Sequence, residues 1–151
     1  MRQIVYAMHF RGQAAPSGDN AKILKMTSSG TSCTMNTVVG PTGVETNLHA
    51  TPGDLAFLES EVRLTAPETF EGDGVLTFGD EGAHELRFRS IHAGHLAPSA
   101  LPRLMSGTVG WRVEGGIGRF EGATGFITST FTLNDEGELS DYQCGLIFVR
   151  D

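Results

Sequence analysis

Two imidazoles, His9 and His92, are the side chains of this sequence best suited to moving a proton near neutral pH. An apolar enclosure lowers a histidine pKa from about 6.5, so that a pair can give and take protons on opposite sides of a bound molecule. Ser60 and Tyr142 add hydroxyls able to hold a substrate oxygen. The plainer reading is that each histidine is a core residue satisfied by the backbone or by a hydroxyl such as Tyr6 or Tyr142. His92-x-x-His95 has metal-pair composition, but on a strand a spacing of three sends side chains to opposite faces. With His49 and His84 unplaced, no metal site is assigned and no cofactor is expected. Ser60 lacks the G-x-S-x-G setting of an activated nucleophile.

Such groups act together only if the chain folds round an enclosed space. Glycine is 20 of 151 residues, roughly twice the usual 7%, and is spread along the chain. Between turn signals such as EGDG, FGDEG and LNDEGE run period-two segments: RQIVYAMHF, DLAFLESEVRL, GVLTFGD, HELRFRSIH, TVGWRVE, GFITSTFTL and LSDYQCGLIFV. No window shows a helical stripe. The pattern predicts an all-β fold, an antiparallel sandwich or closed barrel, in a single domain over residues 1–151. Ser28 to Glu45 reads as an irregular strand or a mobile loop. His95 to Gly107, with Pro98 and Pro102, reads as a long crossing loop.

Charge narrows the partners. A net charge of -7 and a pI near 5.1 repel phosphate backbones and anionic lipid, which excludes nucleic acid and membrane surface as partners. The N-terminal apolar run is too short for a signal peptide, and none approaches the roughly 20 residues of a membrane span. A cytoplasmic protein is expected, with Cys33 and Cys144 as free thiols. Alternation along DLAFLESEVRL puts Leu58, Ser60 and Val62 inside and Glu59, Glu61 and Arg63 outside. Along HELRFRSIH it puts Leu86, Phe88, Ser90 and His92 inside. The outer charges invite cross-strand pairs such as Glu61 with Arg87 or Arg89, or a subunit interface.

The stretch VEGGIGRFEGATG could suggest a phosphate cradle, yet a strand follows it where a dinucleotide site needs a helix N-terminus. Its glycines instead suit a corner where a strand leaves the sheet, turns and re-enters, with Phe120 plugging the turn. The tract GVLTFGDEGAHELRF followed by WRVEGGIGRFEGATG resembles the allene oxide cyclase family, relatives of which include dirigent proteins and bacterial barrel cyclases. The resemblance spans Thr69 to Thr132 and implies an eight-stranded antiparallel barrel with an apolar cavity, assembled as a trimer or dimer. The family presents a carboxylate and, two residues on, an amide from its first strand; an ungapped overlay on VYAMHFRGQAAP places Ala7 and His9 there. A cavity cysteine falls near Ser60. With the carboxylate absent, the family's own cyclisation is not expected of this chain.

The expectation is therefore a cofactor-independent isomerase, cyclase or lyase enclosing an apolar substrate. His9, His92, Ser60 and Tyr142 would act, and Ala7, Leu58, Val62, Phe88, Trp111 and Phe126 would line the cavity. The alternatives are a non-catalytic carrier of an apolar molecule and a structural oligomer whose barrel is filled with side chains.

Overall fold

Alternating apolar and polar side chains organise the whole chain, and the computed structural model, which describes residues 1–151, contains ten strands. They are β1 (Arg2–Ser17), β2 (Asn20–Gly40), β3 (Gly43–Ala50), β4 (Ala56–Ala66), β5 (Thr69–Phe78), β6 (His84–Ser90), β7 (Gly94–Pro98), β8 (Leu104–Ile117), β9 (Thr124–Asn134) and β10 (Glu138–Val149). The sheet runs β1-β10-β9-β8-β6-β5-β4-β2, and β2 returns to pair with β1. This closes an antiparallel barrel of eight staves, as the alternation and the resemblance predicted. β7 extends the β6 stave, both lying between β5 and β8. β3 pairs with the far half of β2 alone and stands off the barrel.

The interior is set by the alternation. On β4, Ala56, Leu58 and Val62 are buried, and on β6 Leu86 and Phe88, as expected. β9 contributes Ile127, Ser129 and Phe131, and β8 contributes Val109, Trp111 and Val113. Phe88 meets Trp111 edge to face at 5.0 Å, and Phe70 meets Phe131 at 5.8 Å; such pairs contribute about 0.5–1.5 kcal/mol each beyond area burial. Gly74 lies opposite Phe88, whose ring occupies the space a side chain there would take.

The glycine corner behaves as read. Gly115, at φ 91°, forms a bulge where β8 passes β6, and a single 3-10 turn at Gly118–Phe120 reverses the chain into β9. Phe120 is buried and packs edge to face on Phe78 at 5.0 Å.

Other expectations change. Of the two readings of Ser28 to Glu45, strand holds: β2 pairs with β4 as far as Gly30 and with β1 as far as Ser32, then leaves the barrel beside β3, with a turn at Pro41–Thr42. His95 to Gly107 is a hairpin, with Pro98 paired opposite Met105 at the end of β7 and only a short turn holding Pro102. EGDG lies within β5, where Gly72 lets Glu61 of β4 approach closely; the turn falls earlier, before Thr69. Glu61 is separated from β6 by Asp73 of β5 and pairs with neither Arg87 nor Arg89. Arg87 instead pairs with Glu85 at 3.0 Å, and Arg89 lies 3.9 Å from Glu114. No helix is long and apolar enough to cross a membrane.

Candidate functional site

The first strand decides which groups face inward, and it turns the opposite way from the overlay. Phe10 is fully buried and Ile4, Tyr6 and Met8 pack on the core, so the even positions of β1 point into the barrel. Ala7 and His9 therefore lie on its outer face. On β10 the phase set by buried Leu139, Ile147 and Val149 carries Asp141 and Gln143 inside and Ser140, Tyr142 and Cys144 outside. His9 stacks on Tyr142 at 4.3 Å with its Nε2 2.9 Å from the Ser140 hydroxyl. This is a surface cluster, in which partial burial and then Arg11 lower the His9 pKa.

His92 is also outside. β6 ends at Ser90 and the chain bends before β7, so the alternation that carries Leu86 and Phe88 inward stops two residues short. His92 borders a charged surface cleft of about 320 Å³ with Arg63, Glu71 and Arg89. Phe126, on the outward phase of β9, is 57% exposed. Of the expected acting residues only Ser60 faces the interior; Leu58, Val62, Phe88 and Trp111 are buried in the packed core. His49, His84, His92 and His95 are dispersed, and no three His, Cys, Asp or Glu side chains converge in a metal-holding cluster. Cys33 and Cys144 are free and half-buried.

What the interior does hold is a carboxylate that sequence reasoning missed. Asp141, 6% exposed, receives hydrogen bonds at Oδ2 from Gln143 Nε2 at 2.7 Å and from the Ser129 hydroxyl at 3.2 Å. Trp111 Nε1 donates to Ser129 Oγ at 2.9 Å, and the Tyr6 hydroxyl donates to Gln143 Oε1 at 2.9 Å. Five side chains from four strands thus form one line across an otherwise apolar barrel. Asp141 Oδ1 has no partner in it. Burial raises the Asp141 pKa to about 6, against the lowering effect of the Gln143 and Ser129 hydrogen bonds. Burial, with Asp141 next, raises Tyr6 well above 10, so its phenol stays a neutral donor.

Two spaces meet at this line. Below it, Asp141, Ser60, Phe88 and Trp111 border an enclosed cavity of about 20 Å³, room for about one water. Above it, at the end where β1 begins and β10 ends, a cleft of about 390 Å³ opens between Ile4, Met8, Leu76, Phe78, Phe120 and Ile147. Tyr6 is the link: its ring borders the cleft and its hydroxyl leads through Gln143 to Asp141. The lower half of the barrel is largely filled with side chains. The upper half offers a site whose volume lies within the roughly 300–1,000 Å³ of small-molecule pockets.

No protein-family model matches the sequence, and no curated protein matches it. Among solved structures, a pterocarpan synthase dirigent protein is similar over 100% of this chain and 88% of its own, with a TM-score of 0.54 and 12% identity. At that identity the likeness establishes the barrel fold and leaves the chemistry to this chain's own residues.

Proposed function

We propose that the upper cleft binds an apolar small molecule carrying one oxygen function, and that the barrel acts on it as a cofactor-independent isomerase, cyclase or lyase. The observation that carries this reading is the continuous line from the cleft to a buried carboxylate: Tyr6 hydroxyl, Gln143, Asp141 with a pKa of about 6. A carboxyl poised near the working pH is what general acid or base catalysis needs, and catalytic groups cluster where burial makes such shifts. The apolar walls would fold the substrate into a reactive shape, while Tyr6 holds its oxygen. Asp141, which borders the lower cavity, would take a proton from the substrate or return one to it directly, once the Gln143 side chain turns aside and opens that carboxyl to the cleft. The similar fold of a protein named as a synthase agrees with this reading.

A carrier is the second reading, favoured by one observation. The polar groups of the line are already bonded to one another, so the resting barrel presents the ligand a wall that is chiefly apolar.

The test is a thermal-shift screen of apolar oxygen-containing compounds followed by mass spectrometry of each binder before and after incubation. Under the catalytic reading a binder is converted, and Asp141→Asn slows conversion by about 10²-fold or more while binding persists. Its pH profile should also bend near 6. Binding without conversion selects the carrier. Conversion that is indifferent to both Asp141→Asn and Tyr6→Phe overturns the assignment of the site.

A further inference from the structure

Beyond Ser32, β2 and its partner β3 form a ribbon whose two faces differ. The pairs Met35 with Leu48, Thr37 with Thr46 and Val39 with Val44 occupy one face, and the Thr37 and Thr46 hydroxyls bond each other at 3.1 Å. Asn36 with Asn47 and Val38 with Glu45 occupy the other. Every residue from Thr34 to Leu55 is exposed, with Val39 at 78% and Val44 at 66%. An isolated two-stranded ribbon is marginally stable in water, and an uncovered apolar face makes it less so.

The same chain carries a surface that matches it. On the outer face of the barrel Val5, Leu146 and Phe126 stand directly opposite one another across β1, β10 and β9, at 75%, 42% and 57% exposure. Ala7 and Cys144 occupy the next row. The strands β4 to β8 show a different outer face, carrying Glu59, Glu61, Arg63, Asp73, Arg87 and Arg89. In a chain of net charge -7, two copies approach with least repulsion through the uncharged side. That side runs without a break from the barrel row to the ribbon: Val5, Ala7, Cys144, Cys33 and Met35 border one groove of about 540 Å³.

We propose that this face docks a second copy of the chain, the ribbon of each protomer lying apolar side down on the Val5–Leu146–Phe126 row of the other. Sheet-on-sheet packing suits two uncharged strand surfaces, and a two-fold axis at the groove makes one contiguous face complementary to itself. The groove shares Ile4, Tyr6, Met8 and Ser32 with the ligand cleft. The second copy therefore roofs the gap that β2 leaves beside β1 when it departs from the barrel, and completes the wall of the cleft. The interface does not depend on what the cleft binds.

Light scattering on the 151-residue chain should give twice its 16.1 kDa mass. Val39→Lys with Val44→Lys on the ribbon, and Phe126→Glu with Leu146→Glu on the barrel, should each return the single-chain mass with the far-ultraviolet spectrum kept. A photo-cross-linking residue at position 39, in a mixture of nitrogen-14 and nitrogen-15 chains, should join the two isotopic forms through β9 or β10. A monomeric wild type, an assembly indifferent to both double variants, or cross-links confined to one chain would overturn the proposal.

Discussion

Asp141 sets the pH response of the fold. Its folded-state pKa, about 6, lies above the unfolded value near 3.9, so the native state binds the extra proton between those limits. Stability contributed by this group is full below about pH 4 and is lost as pH rises to about 6; a two-unit difference corresponds to about 3 kcal/mol. Asp141→Asn removes that slope, and the denaturation difference between wild type and variant should rise from pH 4 to 6 in the variant's favour, then level off. A flat difference would show that the carboxyl is solvated. Tyr6→Phe probes the other end of the line. It leaves Gln143 Oε1, in a side chain only 3% exposed, without its donor, which costs about 1–3 kcal/mol. Urea titration should register that loss. Asp141 and Gln143 were findable in the sequence: Leu139, Ile147 and Val149 fix the inward phase of β10, and both fall on it. Polar type argued against burial, and the phase was the better guide.

At the scale of elements, legibility followed contrast between the two faces of a strand. β4 and β6 set charges against apolar residues, and their interiors were readable from the alternation alone. β1 has no such contrast, because Val5, Ala7 and His9 on one face are nearly as uncharged as Ile4, Tyr6, Met8 and Phe10 on the other. An overlay on a family pattern then chose the wrong phase, and with it an imidazole that lies outside the barrel. The missing contrast has a physical source if the outer face of β1 is covered by another chain. Strand ends were illegible where a bend interrupts a period, as at His92, and where a proline sits at a strand terminus, as at Pro98. The glycines were legible as a corner but differ in cost. A Cβ on Gly116 would lie 1.8 Å from the Glu85 carbonyl oxygen, whereas one on Gly110 meets nothing nearer than Ile91 Cδ1 at 3.6 Å. Gly116→Ala should force β8 from β6 and cost several kcal/mol, beyond the usual range of about 0.5–3 for single substitutions. Gly110→Ala should stabilise by about 0.4–1 kcal/mol through the unfolded chain. Guanidinium denaturation of the pair separates corner from plain strand; equal effects would contradict the close approach.

At the scale of the whole molecule, β1 is the stave that closes the barrel. It pairs with β10 along Arg2 to Gln13 and with β2 along Met8 to Ser17, so one strand covers what would otherwise be two open edges. Yet β1 is first in the chain and its partner β10 is last, which makes closure a pairing of maximal sequence separation and therefore slow. Met1 and Asp151 lie side by side, the Met1 nitrogen against the Asp151 carboxylate. Joining Asp151 to Met1 through a short glycine linker and reopening the chain in the exposed turn at Ala100–Leu101 turns the β10–β1 pairing into a local hairpin. The cut moves the seam of the barrel to β8, whose pairings with both β6 and β7 become the distant ones. The permutant should keep the β-sheet spectrum and a single cooperative denaturation transition, because every pairing of the closed barrel is retained. Removing residues 1–17 instead leaves β10 and β2 with exposed hydrogen-bonding edges, and that chain should aggregate. A soluble, cooperatively folding deletion variant, or a permutant that loses the cooperative transition, would mean that pairing through β1 is not what closes the barrel.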